Sequence, residues 1–95
     1  MIKHIVFFKL KDNSQENKKI VQNRLLQMKD EIWVLQNIEV GVNFTESPRA
    51  YDIALLTDFK TKEDLDIYQE HPYHVEIKEF LQEVSIDSKV VDFKY

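Results

Sequence analysis

The sequence predicts a ferredoxin-like α+β sandwich of order β-α-β-β-α-β, paired with a second copy into a homodimeric α/β-barrel. Three observations carry that expectation. Four short runs rich in Val, Ile and Phe are interleaved with two stretches of helical periodicity in that order. The first and third of those runs are apolar on both of their faces. The chain has 95 residues, enough for an adequate core but too few to hide both faces of a sheet unaided.

The elements follow in order. Ile2 to Lys11 is rich in Ile, Val and Phe, is too short for a helix with a clear period, and reads as a strand. Asn13 or Ser14 is the expected N-cap of the helix that follows. Within it Val21, Leu25, Met28 and Ile32 recur at spacings of four, three and four, which is one helical face. In "VLQNIEVGVNF" the residues Ile38, Val40, Val42 and Phe44 share one side of a second strand. "TESPRA" is a turn, because Pro48 cannot donate to a central ladder. Tyr51 to Phe59 is the third strand.

Thr61 to Asp64 resembles a capping box and opens a short helix that turns Leu65 and Tyr68 inward. Pro72 disfavours helical geometry at His71 and suits the first position of a new helix. The chain therefore breaks at His71, and a further helix starts at Pro72, burying Ile77, Phe80, Leu81 and Val84. "SKVVDFKY", Ser88 to Tyr95, closes as the fourth strand.

The two-faced strands set the assembly. On the first strand Val6, Phe8 and Leu10 oppose Ile5 and Phe7; on the third, Ile53 and Leu55 oppose Ala54 and Leu56. In this topology helices cover one face only, and a second face left to water would be polar. The predicted partner is therefore an identical chain, packed through the open sheet faces.

Composition bounds the function. The length predicts a single domain over residues 1–95. An apolar fraction of 43% beside 32% charged residues is the profile of a folded soluble protein. No run approaches the ~18 apolar residues of a membrane span, so no membrane is expected as partner. Lys9 and Lys11 follow the first apolar stretch closely and no small-residue cleavage site appears, which argues against a signal peptide. The absence of cysteine removes disulfides and thiolate chemistry, and the expected compartment is cytoplasmic. The net charge of -4 with scattered Lys and Arg gives no basic patch for nucleic acid. A lone glycine, Gly41, excludes phosphate-cradling loops and dinucleotide fingerprints, and no organic cofactor is indicated.

The residues that stand out chemically lie in "YQEHPYHVEIKEF", Tyr68 to Phe80, where His71 and His74 flank Pro72; the third histidine is His4. As metal ligands, His71 and His74 would share a face of a continuous helix, but Pro72 interrupts it. Zinc also wants three or four protein ligands. His4 could add one, while the acidic residues are not clustered, so a metal stays an open assignment. Trp33, at a helix–strand junction, reads as a packing residue before it reads as a cofactor platform. Arg49, beside Pro48, is an exposed turn residue.

"IKHIVFFKLKD", "IEVGVNF", "YDIALLTDF", "LDIYQEHPYHVEI" and the final "VVDFKY" together resemble the stress-responsive A/B barrel family over nearly the whole chain. The "YxxHPxH" segment with the N-terminal "KH" is the most specific part. The resemblance implies a ferredoxin-like subunit, a homodimer through the open sheet faces, and a pocket between sheet and helices. It does not imply one activity. One plant member is a polyketide cyclase, closing a ring by intramolecular aldol condensation, and its catalytic residues fall on His4, Tyr68 and His74. The resemblance also includes plant relatives carrying a magnesium ion, and it assigns those ligands to no particular residue of this chain.

By that similarity His74 would be the general base, Tyr68 its acid or orienting partner, and His4 a positioning group. In the first turn of a helix the positive dipole end disfavours imidazolium, and a neutral imidazole can accept a proton. The ligand would be a small apolar or aromatic carbonyl compound. Three roles fit these residues: purely structural, binding without turnover, and catalysis. A cavity to which His4, Tyr68 and His74 converge favours chemistry; a space filled by side chains such as Phe80 favours structure.

Overall fold

The computed structural model describes residues 1–95. β1 (Ile2–Leu10) leads to α1 (Gln15–Leu26), a single 3₁₀ segment (Gln27–Asp30), β2 (Asn37–Val42) and β3 (Ile53–Phe59). Then come α2 (Lys62–Glu70), α3 (Pro72–Val84) and β4 (Ser85–Lys94). The four strands form one sheet in the order β2-β3-β1-β4, with antiparallel pairing throughout. This is the predicted ferredoxin-like arrangement.

The caps explain where the helices start. The Ser14 hydroxyl accepts a hydrogen bond from the Asn17 amide, and the Thr61 hydroxyl accepts one from Asp64. Between α2 and α3, His71 is extended (φ -60°, ψ 133°), as the following proline requires, and Pro72 occupies the first turn of α3. His71 then caps α3 itself, its Nδ1 accepting from the Tyr73 amide at 3.1 Å.

Strand register sorts the side chains. Ile2, His4, Val6, Phe8 and Leu10 face the helices with Ile53, Leu55, Thr57 and Phe59. The core closes over them with Val21, Leu25 and Met28 from the first helical region, and with Leu65, Tyr68, Ile77 and Leu81 from α2 and α3. The opposite face carries Ile5, Phe7, Ala54, Leu56, Val91 and Phe93. No helix covers it: Phe7 is 43% exposed and Val91 59%. Polar groups stand at its two ends. Lys3 (2.9 Å) and the Tyr95 hydroxyl meet Asp58 at one, and the Tyr51 hydroxyl meets Asp87 at the other.

Several details depart from the expected pattern, among them the start of β3 at Ile53 rather than Tyr51. The first helix does not run to Ile32; it tightens to the 3₁₀ segment after Leu26, while Met28 and Ile32 still reach the core. β2 stops at Val42, and Phe44 lies beyond it, 91% exposed. Trp33 does not pack: it is 76% exposed because its neighbours Ile32 and Val34 take the two core positions of that connection. β4 starts three residues early, since Ser85 leaves α3 directly into the sheet with no loop. Lys18 is also fully buried, its Nζ donating to the Asn43 carbonyl (3.3 Å) near the Asp52 carboxylate (3.9 Å).

Candidate functional site

A cleft of about 370 Å³ opens between α3 and the β1–β4 side of the sheet. It exists because β4 is an edge strand that α3 only partly overhangs: Val90, on the helix side of β4, is still 59% exposed. Val6, Phe8, Leu55, Ile77 and Leu81 make the apolar walls. His4, Tyr68 and His74 all line it. Phe80 is not among the lining residues; it packs at the core margin, under the Arg24 guanidinium.

Each of the three arrives by a different route. His4 points to the helix side because it shares the alternation of Val6 and Phe8, and it is buried. Tyr68 ends the inward face of α2. His74 sits in the first turn of α3, and the extended residue His71 swings that turn back over Tyr68. The Tyr68 and His74 rings lie 4.4 Å apart between centroids, and the Tyr68 and His4 rings 6.1 Å apart, edge to face. None of the three is hydrogen-bonded to another. The Tyr68 hydroxyl lies against the Met28 sulfur at 3.7 Å, and Tyr68 has no surface open to solvent.

The partners of the imidazoles define their tautomers. His74 Nδ1 lies 3.1 Å from the Gln69 carbonyl. A carbonyl only accepts, so Nδ1 carries the hydrogen, and Nε2 of the neutral ring keeps its lone pair. Burial lowers the His74 pKa; the Gln69 carbonyl opposes this, and the charges of His4, Lys78 and His71 reinforce it. Burial is the largest of these causes, and it favours the neutral imidazole. His4 Nδ1 meets the Asp92 carboxylate, its cross-strand neighbour on β4, and by the same logic donates to it. Burial also raises the Tyr68 pKa well above the usual phenol range, so this hydroxyl stays protonated.

Sequence reasoning missed Asp92, Lys78 and Ser85. Asp92 was within reach, because antiparallel pairing of the first and last strands sets it opposite His4. His71 caps α3 and does not line the cleft. No group of three His, Asp or Glu side chains converges as metal ligands.

An α+β subunit with one bare apolar sheet face and a histidine-lined cleft under its last helix defines a class: small proteins of the ferredoxin-like fold. The chain belongs to the stress responsive A/B barrel domain family, whose model matches residues 2–95. A dimeric protein of unknown function from Bacteroides fragilis is similar, at 33% identity over 99% of this chain and 95% of that one, with a TM-score of 0.80. A dimeric ferredoxin-like protein from Thermobifida fusca, also of unknown function, shares the fold at 24% identity, with 99% and 90% of the two chains covered and a TM-score of 0.84. So does the hydroxynitrile lyase from Passiflora edulis, at 14% identity, 97% and 90% coverage and a TM-score of 0.83. No curated protein is a match.

Proposed function

We propose that this single-domain chain works as a homodimer joined through its open sheet faces, each subunit binding a small apolar or aromatic carbonyl compound in its cleft. The observation that carries the reading is the convergence of His4, Tyr68 and His74 on one cavity whose other walls are apolar. A site of this kind, mostly apolar with a few convergent polar groups, is the usual form of a small-molecule pocket. The bare face of Ile5, Phe7, Leu56, Val91 and Phe93 supports the dimer, as does the dimeric state of the Bacteroides fragilis relative. The cysteine-free composition supports a cytoplasmic setting.

A second reading, acid–base turnover of that ligand, is favoured by one further observation: the His74 ring is held by Gln69 in the tautomer whose Nε2 accepts. His74 would remove a proton from carbon next to a carbonyl. The resulting enolate carbon would form a bond to a second carbonyl carbon of the same molecule. The alkoxide so produced would recover the proton from the His74 imidazolium, leaving a ring and a restored base. Tyr68, covered and turned to Met28, orients the imidazole by packing on it. Asp92 fixes the His4 ring, which positions the ligand. A lyase with the same fold, from Passiflora edulis, is compatible with such chemistry.

The test is a thermal-shift and NMR screen against aromatic ketones and β-polyketone acids. A ligand that raises Tm and moves the His74 ring resonances is expected. If every binder leaves those resonances in place, the cleft is not the site. Where turnover is found, His74→Ala should lower kcat by about 10²–10⁴-fold with the fold intact.

A further inference from the structure

The walls of the cleft carry no carboxylate, although the chain has 17 acidic residues and a net charge of -4. The one permanently charged side chain among them is Lys78. Lys78 takes no part in any of the four ion pairs of the protein, which join Lys3 to Asp58, His4 to Asp92, Lys18 to Asp52 and Lys89 to Asp87. It lies one helical turn past His74 on α3, and its charge reaches His74, where it helps to disfavour the imidazolium.

The same flank ends in a second unanswered group. Ser85, where α3 passes into β4, also lines the cleft. Its Oγ is shut off from solvent and has no hydrogen-bond partner, the only buried side-chain polar atom in the protein so placed. Orphaned buried hydroxyls are rare in folded proteins, because desolvation without a partner is unfavourable. A hydroxyl donor and an unpaired ammonium lining one carboxylate-free cavity call for the same complement, an anionic oxygen.

We propose that the ligand of this cleft is an anion, a keto acid in which a carboxylate is bound by Lys78 and Ser85 while its carbonyl lies at His74. The inference rests on the ligand-binding reading of the cleft and narrows it. Four residue steps along α3 lead from His74 to Lys78, roughly 6 Å along the axis, a span that a carbonyl and a carboxylate on one aromatic ring can match. The apolar body between them runs along Val6, Leu55, Ile77 and Leu81.

The test pairs two probes of one shape, 4-acetylbenzoate and its neutral analogue 4-acetylbenzamide, titrated while the His74 ring is followed by NMR. The acid is expected to bind about tenfold more tightly than the amide, as a charge-assisted contact at an exposed lysine implies. Lys78→Met should bring the two affinities to within about twofold. Ser85→Ala should weaken the acid several-fold. Lys29→Met, which removes the same charge from an exposed position outside the cleft, should keep the preference. Equal binding of both probes at His74 overturns the anion inference while leaving the cleft a ligand site. A preference that survives in Lys78→Met overturns it as well. If neither probe disturbs the His74 ring, the ligand reading falls and this inference with it.

Discussion

The Tyr68 ring packs on the His74 imidazole at 4.4 Å between centroids, across the helix break, while its hydroxyl is turned to the Met28 sulfur 3.7 Å away. The ring and the hydroxyl therefore do separable things. A thioether is a weak acceptor, so Tyr68→Phe should cost no more than about 1 kcal/mol of stability. Tyr68→Ala, which empties a fully buried site, should cost about 3–5 kcal/mol. Urea denaturation of both variants checks the contrast. A loss above 3 kcal/mol in Tyr68→Phe would mean that the hydroxyl has a stronger partner than Met28.

His74 should titrate below the ordinary histidine value near 6.5. The sign of its effect on stability follows from linkage. Between the depressed folded pKa and about 6.5, the unfolded chain binds more protons at this residue than the folded one does. Stability then rises with pH across that window, and this contribution is lost as pH falls through it. The His74 ring resonances, followed by NMR from pH 4 to 8, give the pKa directly. A midpoint above 6.5 would contradict the burial that lowers it.

Lys18 and Asp52 should respond unequally to substitution. Asp52 accepts from the Leu10 amide at 2.8 Å and faces Lys18 at 3.9 Å. Asp52→Asn leaves a wholly buried ammonium with only the Asn43 carbonyl, and should cost about 3–5 kcal/mol. Lys18→Met keeps the stem in its packing and leaves Asp52 its amide donor, so it should be the milder change. Equal losses in thermal melts of the two variants would count against a charge buried at Lys18.

Phe7→Glu tests the dimer without touching the cleft, since Phe7 projects from the other face of β1. An ionised carboxylate in an apolar interface is strongly disfavoured. The dimer Kd should rise by at least about 100-fold. Sedimentation equilibrium should find dimers in the parent chain and monomers in the variant at micromolar concentration. A monomeric parent chain would remove the proposed assembly altogether.

His71→Ala should destabilise α3 by about 0.5–2 kcal/mol through loss of the cap on Tyr73, and His71→Asn should recover most of it. Since His71 stands outside the cleft, neither variant should alter ligand affinity by more than about twofold.

Much of this molecule was legible before any coordinates. The break at His71 followed from what proline does to its predecessor, and the caps at Thr61 and at Asn13 or Ser14, of which the structure uses Ser14, from side-chain oxygens placed ahead of helical periods. The two-faced strands announced the bare sheet face. Periodicity failed where two solutions were equally apolar. Trp33 and Phe44 look like core residues in a linear pattern, yet Ile32, Val34 and Val42 fill the available positions and leave both outside. Lys18 escaped notice for the opposite reason: a lysine is ordinarily exposed, and only the approach of Asp52 and Asn43 makes its burial tolerable.

The candidate site divides the same way. His4, Tyr68 and His74 could be named through the family resemblance, but their angles and partners could not. Sequence alone determined the order of elements, the helix limits near Pro72 and the face on which His4 lies, because these depend on local dihedral preference and the two-residue period of a strand. Tertiary structure decided that the Tyr68 hydroxyl meets sulfur, that Asp92 holds His4, and that Lys78 and Ser85 share a cleft free of carboxylates. Those facts arise between segments far apart in the chain, where the packing of whole elements, and no local rule, sets which atoms meet.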